Sequence, residues 1–179
     1  MPEKSADIRP VGADLYLLPV TTRVPLKFGS ETLTSVDCAR VALRVEDRAG
    51  RVATGWGETP LSVQWVWPCS LPYDDRLRAL HAFCGVLCRE WAAFDCAGHP
   101  MEVGHAFLDE RLPVLLAEFN RARPAAAMPW LAALVCCSAF DIALHDAYGV
   151  LHGVPVYETY NADWMNADLS HFLTPAPDA

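Results

Sequence analysis

The first third of the chain alternates apolar and polar residues with the period of a β-strand. An apolar run within residues 8–20 ends at Pro19, and residues 36–46 alternate more regularly. One predicted face carries Val36, Cys38, Val41, Leu43 and Val45, and the other carries Arg40, Arg44 and Glu46. After a turn in which Gly50 supplies a positive φ angle, residues 51–58 return as a third strand. The pattern predicts a three-stranded antiparallel meander.

Two long segments connect these strands to each other and to the rest of the chain. Residues 21–35 separate the first two strands, and residues 59–72, which are rich in aromatic side chains, leave the third. Loops of this length inside a compact domain are usually functional or disordered. We therefore expect two long loops rather than regular structure.

From Tyr73 onward the apolar residues follow the period of a helix. They recur at steps of three and four residues on one predicted face: Leu77, Leu80, Cys84, Leu87, Trp91 and Phe94. We expect this helix to end at Gly98 and the next to begin at His99-Pro100. Pro113 is expected to kink or split that second helix.

A third helix is predicted from about Pro129 to Leu151, where Gly153 and Pro155 stop it. It is apolar on nearly every face, which is typical of a buried central helix. Strands followed by helices indicate an α+β domain, with a three-stranded antiparallel meander followed by a bundle of about three to four helices.

Charge and composition exclude several classes of partner. The 179 residues carry a net charge of −8, and no cluster of Lys and Arg occurs. Nucleic acids and anionic membranes both require a basic footprint, so neither is an expected partner. No apolar run looks long enough to cross a bilayer, and residues 1–7 hold no apolar signal region. The expectation is a cytoplasmic protein.

The seven cysteines are odd in number and irregularly spaced. This pattern favours reduced thiols over a disulfide framework. The nearest approach to a metal-ligand spacing is Cys96-x-x-His99, with Cys84 and Cys88 upstream. Small buried apolar side chains explain these cysteines better than a zinc site does.

Asp141 and His145 lie four residues apart on the third helix, and Asp146 adjoins them. They could form an oriented general base. They could equally form a structural pair that satisfies itself and the neighbouring backbone. Since no motif places a nucleophile beside them, the structural interpretation is favoured.

Two aromatic and glycine-containing stretches follow the second strand. Gly55-Trp56-Gly57-Glu58 lacks the spacing of a phosphate-binding loop, so its glycines are expected to let the backbone approach another element closely. In residues 64–68, two tryptophans indicate either a surface that something covers or a contribution to the core. Both interpretations stay open.

Two stretches together resemble a known family. The first is residues 55–61, Gly-Trp-Gly-Glu-Thr-Pro-Leu, and the second is residues 137–149 followed by Gly-Val-Pro-Val-Tyr at 153–157. They resemble the N-terminal capping domain of the mandelate racemase/muconate lactonizing enzyme group of the enolase superfamily. The chain departs from that pattern in having His145 where a tryptophan is common. Residues 158–161 also replace a Leu-Leu-Gly-Gly type of turn.

The resemblance implies a division of labour between two domains. Residues 1–161 would be the cap, and residues 162–179 would lead as a linker toward a β/α barrel. The barrel would hold Mg²⁺ and the catalytic groups that act on a small carboxylate substrate, so no catalytic or metal-binding residue is expected in this chain. The chain would then be a fragment or a truncated relative of a racemase, cycloisomerase or dehydratase. The alternative is a stand-alone interaction or regulatory module, and either is compatible with a homo-oligomer.

In that family, the first long loop and the loop after the third strand fold over the barrel mouth and shape the pocket. The resemblance therefore implies these substrate-loop candidates: Lys27, Phe28, Gly29, Glu58, Gln64, Trp65 and Trp67. Lys27 could meet an anionic substrate group, although an ordinary solvated lysine is the simpler interpretation.

Overall fold

A three-stranded antiparallel sheet forms the first third of the chain. The computed structural model describes residues 4–28, 31–123 and 126–173. The strands are β1 (Ile8–Phe28), β2 (Glu31–Asp47) and β3 (Val52–Pro60), in the spatial order β1-β2-β3. Helices follow the strands, which confirms the α+β class.

Five α-helices follow the sheet among the described residues. They are α1 (Val63–Val66), α2 (Tyr73–Ala92), α3 (Pro100–Ala106), α4 (Leu112–Arg121) and α5 (Trp130–His152). A π-helical turn, Phe107–Arg111, joins α3 to α4, and short 3₁₀ helices span Val156–Thr159 and Leu169–His171. The π-helical turn ends just before Pro113, which confirms that this proline splits the second predicted helix.

Helices cover only one face of the sheet. Ala39, Val41, Leu43 and Val45 point into this core and are fully buried. Val36 and Cys38 do not share their face, so the predicted grouping is wrong. β2 pairs with β3 without a shift from Cys38 to Glu46, and side chains three residues apart on a regular strand, such as Cys38 and Val41, point to opposite faces.

The prediction of a loop at residues 21–35 is also wrong. β1 and β2 continue to pair beyond Thr21↔Ser35, and pairing resumes at Leu26↔Leu33 after a shift in register. We call residues 21–28 and 31–35 the hairpin arm. Its threonines and valine suit a strand, but it has no core beneath it, so the apolar alternation that marks a buried strand is absent.

The segment after β3 contains one helical turn and is partly buried, while residues 67–72 lack regular structure, so the predicted loop is confirmed only in its second half. Leu61, Val63 and Val66 are buried, and they anchor the short helix α1 in the core. The next residue, Trp67, is 4% exposed and belongs to the same core, whereas Trp65 is 53% exposed. Trp67 therefore contributes to the core, whereas Trp65 is on the surface, so each of the two interpretations is correct for one tryptophan.

The first long helix ends earlier than predicted, at Ala92 instead of Gly98. Gly98 instead pairs with Ile8 through two backbone hydrogen bonds of 3.0 and 3.1 Å. The next helix begins as predicted, because His99 caps α3 and Pro100 occupies its first turn.

Strand β3 lies directly against helix α5, backbone to backbone. A Cβ atom added at Gly55 would sit 2.0 Å from the Ala147 nitrogen, and one added at Gly57 would sit 2.1 Å from the Ala139 oxygen. Both distances are far below van der Waals contact. The expectation that these glycines permit a close backbone approach is therefore confirmed, and the partner is α5.

Helix α5 is the central helix of the bundle and packs against β2, β3, α2 and α3. Among the described residues it is the one helix long and apolar enough to span a membrane, with a mean hydropathy of 1.4, and half of that window is buried in the protein. The expectation that no apolar run reaches such a length is therefore wrong. Packing against the sheet accounts for the apolar residues of the buried half.

We predict that Gly57→Ala lowers the free energy of unfolding by about 3 kcal/mol, because its Cβ would force β3 away from α5. Urea unfolding measures the loss. Gly85→Ala is the matched control, since nothing lies closer than 3.9 Å to its added Cβ and it sits inside α2. There, alanine should raise stability by about 1 kcal/mol. Equal stability of Gly57→Ala and the unmodified protein would contradict the close contact.

Candidate functional site

The hairpin arm and helix α1 leave the same end of the sheet. Pro60, the last residue of β3, pairs with Cys38, which in turn pairs with Leu18. Beyond this row β1 and β2 continue alone for roughly 20 Å, at the usual rise of a strand. The two segments that were predicted as loops therefore start side by side.

The hairpin arm is exposed along its described length. Val24 is 74% exposed, Leu26 is 57% exposed, and Lys27 also faces solvent. Residues 22–25 bulge opposite Thr34, and the Thr22 hydroxyl donates to the Thr34 carbonyl oxygen at 3.2 Å. Gly29 and the side chain of Phe28 lie outside the described part of the chain.

The outward side of helix α1 carries Gln64 and Trp65. Gln64 is half-buried and Trp65 is exposed, while the core residues of the segment hold them in place. Trp67 lies in the core, which leaves Trp65 as the tryptophan that this segment displays. Whether any of these residues meets a substrate stays a prediction.

Glu58 is placed apart from the arm and from α1. It lies on the uncovered face of the sheet, where its Oε2 accepts a hydrogen bond from Arg40 at 2.6 Å. Beside this ion pair, Trp56 stacks on Tyr16 with ring centroids 6.0 Å apart. Within the described ranges, no hydrogen bond or ion pair joins Lys27, Glu58 and Trp65.

A cluster of titratable groups lies where β2, α1 and α2 meet. Asp37 Oδ2 is 3.1 Å from His81 Nε2, and the Asp37 carbonyl oxygen accepts from the Leu61 amide at 2.8 Å. Burial raises the pKa of Tyr73, the charges of Asp37 and Asp74 raise it further, and the Arg76 guanidinium opposes them. The sequence patterns did not predict this cluster. One feature of the sequence could have indicated the cluster. Arg76 lies four residues before Leu80, at a position of α2 where the helical spacing of the apolar residues predicts another apolar side chain.

Asp141 and His145 are neighbours without a direct hydrogen bond. The Oδ1 and Nε2 atoms are 3.9 Å apart, and the Asp141 side chain is 42% exposed. Burial raises the pKa of Asp141 against the attraction of His145, and burial lowers the pKa of His145 against the attraction of Asp141. The other ring nitrogen, His145 Nδ1, lies 2.8 Å from the Tyr160 hydroxyl. His145 therefore links α5 to the segment after it, which fits the structural interpretation.

Asp146 has a clearer structural role than Asp141. Its Oδ2 accepts a hydrogen bond from the Trp56 amide of β3 at 2.8 Å. This bond satisfies a backbone donor on the open edge of the sheet and ties β3 to α5 from the side.

His99 is fully buried and joins α3 to the segment after α5. Its Nδ1 accepts from the Met101 amide at 3.2 Å, so its Nε2 carries the proton and donates to Thr159 Oγ1 at 2.9 Å. Burial, with a smaller contribution from the charge of His145, lowers the pKa of His99 to about 4. The imidazole is therefore neutral at physiological pH.

Glu102 holds the last described segment on the domain body. Its carboxylate accepts from the amides of His99 at 2.9 Å, Asn166 at 2.6 Å and Ala167 at 2.9 Å. Burial raises the pKa of Glu102, but these hydrogen bonds and one from the Asn166 side chain outweigh it and hold the pKa below its usual value. Residues beyond 161 thus contact the body, and the proposed boundary at 161 stays a prediction.

The described residues offer no site for the magnesium that the resemblance implies. No group of three or more His, Cys, Asp or Glu side chains in residues 4–28, 31–123 and 126–173 is arranged to hold a metal ion. All seven cysteines are free thiols. Burial raises the pKa of Cys137 to about 12, which keeps that thiol protonated.

No protein-family model and no curated protein sequence matches the chain. Several solved structures are similar to it in fold. The dipeptide epimerase of Enterococcus faecalis V583, solved with Mg and the dipeptide L-Leu-L-Tyr, is 14% identical over 86% of this chain, with a TM-score of 0.48. The L-Ala-D/L-Glu epimerase of Bacillus subtilis is 18% identical over 85%, also with a TM-score of 0.48.

A third similar structure is an enolase from Bradyrhizobium in complex with magnesium and mandelic acid, 19% identical over 84% of this chain, with a TM-score of 0.47. The chain spans only about a third of the length of these proteins: 35% of the two epimerases and 34% of the enolase.

We predict that Asp146→Ala lowers the free energy of unfolding by about 1 kcal/mol, because the Trp56 amide loses its acceptor. Asp146→Asn keeps an acceptor oxygen and should lose less. Asp141→Ala is the control, since Asp141 accepts no hydrogen bond from the described residues, and it should change stability by less than about 0.5 kcal/mol. Thermal or urea unfolding ranks the three variants. If Asp141→Ala lowers the free energy of unfolding more than Asp146→Ala does, Asp141 and not Asp146 has the main structural role.

We predict that His99 makes the stability of the protein sensitive to acid. An unfolded histidine takes up a proton near pH 6.5, but buried His99 resists protonation until about pH 4. The free energy of unfolding should therefore fall as the pH drops from 6.5 to 4, by on the order of 3 kcal/mol from this residue. Above pH 6.5 the residue contributes no pH dependence.

Urea unfolding between pH 7.5 and 4.5 measures this effect. His99→Asn keeps a capping oxygen for α3 but does not titrate, so its profile should be flatter than that of the unmodified protein. Parallel profiles for the two proteins would show that His99 is not the titrating group.

Proposed function

We propose that the chain is the capping, substrate-specificity domain of an enolase-superfamily enzyme acting on a carboxylate substrate. In this proposal it shapes and closes an active site whose catalytic groups lie in a β/α barrel outside these residues. The observation that carries the proposal is the common origin of the hairpin arm and α1 at one end of the sheet. A projecting hairpin arm beside a helix anchored in the packed body suits a cover for a neighbouring pocket.

The arm has the physical properties of a movable cover. Past the bulge at residues 22–25, its described pairing is a short ladder from Leu26↔Leu33 to Phe28↔Glu31. Segments with few buried contacts open locally at low cost in free energy. The exposed cation of Lys27 lies on this ladder, where it can meet an anionic group of a substrate.

Helix α1 supplies a fixed wall beside the movable arm. Its buried residues tie it to the core, and exposed Trp65 offers an apolar surface for a substrate or for the barrel rim. Magnesium and the groups that move protons would belong to the barrel. The reaction would be a racemisation, a cycloisomerisation or a dehydration.

A second candidate function is a stand-alone interaction module without catalysis. Exposed apolar side chains on α5 favour it, because Leu131, Ile142 and Val150 are 40%, 46% and 58% exposed. Exposed apolar side chains suit contact with another protein surface. In the capping proposal, the barrel or a second copy would cover them.

The test compares the 179-residue chain with the protein translated from its whole reading frame. Proton exchange into carboxylic acids in D₂O, and dehydration of them, are measured with Mg²⁺. The capping proposal expects activity from the longer protein and none from the chain alone. In the longer protein, Lys27→Ala should lower kcat/KM at least tenfold for an anionic substrate without changing the melting temperature, whereas Lys4→Ala should leave kcat/KM unchanged.

Chelator-sensitive turnover by the chain alone would contradict the proposal. A reading frame that encodes no barrel would also contradict it. That result would favour the second candidate, the stand-alone interaction module.

A further inference from the structure

Arg76 occupies a core position of helix α2. The buried residues of that helix are Arg76, Ala79, Leu80, Phe83, Cys84, Leu87 and Trp91. Every other member of this set is apolar or a thiol, and Arg76 is itself only 9% exposed. A charged side chain therefore stands where the helix pattern calls for an apolar one.

Among the residues that the structure describes, the buried guanidinium has a single hydrogen-bond partner. Its Nη1 donates to the carbonyl oxygen of Trp67 at 2.6 Å, and its Nε is buried without a partner. Within the described residues, no carboxylate lies within ion-pair distance of Arg76. Asp37 is in the same cluster, but its carboxylate faces His81 at 3.1 Å.

Arg78, two residues further along α2, behaves differently. It is 69% exposed and pairs with Asp75 on the same helix. Burying a cation without an anion is costly, and buried arginines are therefore usually paired. The guanidinium has five donors in a planar fork that matches a carboxylate, and in Arg76 most of that fork is unused.

A second unused donor belongs to the first turn of the same helix. Tyr73 stands three residues before Arg76, so the two side chains share one face of α2. The Tyr73 hydroxyl makes no hydrogen bond to the described residues, and the side chain is partly exposed. The charge of Arg76 also lowers the pKa of Tyr73 against the effect of burial, which is consistent with their proximity.

The carbonyl that Arg76 binds adjoins an exposed stretch of the chain. Trp67 follows the last residue of α1, and the next three residues, Pro68, Cys69 and Ser70, are exposed. The Arg76 guanidinium is therefore tied to the segment between α1 and α2, one residue before this exposed stretch.

We propose that Arg76 and Tyr73 form an anion-binding site for the carboxylate group of a small molecule. The guanidinium provides the charge and paired N–H donors, and the Tyr73 hydroxyl provides a further donor. Asp37 and His81 belong to the same cluster, where the Asp37 carboxylate lies 3.1 Å from His81 Nε2. The site is a property of this chain alone, so it stands or falls separately from the capping role.

The experiment titrates the 179-residue chain, labelled with ¹⁵N, with sodium succinate. Sodium chloride at equal ionic strength is the reference. The readouts are the Arg76 Nε–H resonance, assigned by its loss in Arg76→Met, and the melting temperature. Arg78→Met is the matched control, because it removes an exposed arginine of the same helix.

We expect succinate to shift the Arg76 Nε–H resonance and to raise the melting temperature saturably, while chloride does neither. Arg78→Met should respond like the unmodified protein. Arg76→Met should bind at least tenfold more weakly, and Tyr73→Phe should weaken binding by a smaller factor. Without succinate, Arg76→Met should melt no lower than the unmodified protein, because the unpaired buried charge is gone.

Two results would overturn the proposal. The first is a resonance and melting temperature that respond equally to succinate and chloride. The second is a lower melting temperature for Arg76→Met together with no response of the unmodified protein, which would make Arg76 a structural support for the Trp67 carbonyl. If Arg76→Met fails to fold, the resonance of the unmodified protein still decides, with Arg76→Lys as the second variant.

Discussion

The structure depends on the direct contact between the backbones of β3 and α5. Gly55 and Gly57 on the strand face Ala139, Ala143 and Ala147, which are spaced four residues apart on the helix. With no side chains between them, the strand and the helix approach closely enough for Asp146 to reach the edge amide of Trp56. This contact fixes the sheet over the central helix. It thereby also fixes the direction in which the hairpin arm and α1 leave the body.

Polar groups hold the remaining segments on this body. His99 and Glu102, which cap and open α3, bind residues on either side of 161 through a buried imidazole and a carboxylate with several donors. Such fully satisfied buried groups specify one arrangement, because each loses its partner if the segment shifts. Arg76 differs from these two groups, since its buried charge has no counterion among the described residues. This unpaired guanidinium lies beside α1, at the end of the sheet to which we assign the proposed function.

Local patterns predicted the fold class and most elements, because strands and helices that bury one face carry a clear period. The hairpin arm was not predicted, since a strand without a core beneath it has no reason to alternate. Trp67 could not be assigned, because a short apolar stretch does not reveal which of two tryptophans turns inward. The Arg76 cluster joins β2, α1 and α2, and such long-range proximity leaves no spacing signal in one sequence. The one indication in the sequence was Arg76, a charged residue at a position of α2 where the helical pattern predicts an apolar one.

The contact between β3 and α5 is most directly tested by nuclear Overhauser effects between the glycine α-protons and the alanine methyl groups. A sample with labelled glycine and alanine isolates these pairs. We expect strong cross-peaks from Gly57 to Ala139 and Ala143, and from Gly55 to Ala143 and Ala147. Their absence, with α-proton cross-peaks to β2 alone, would show that the strand does not lie on the helix and would contradict the central role of this contact.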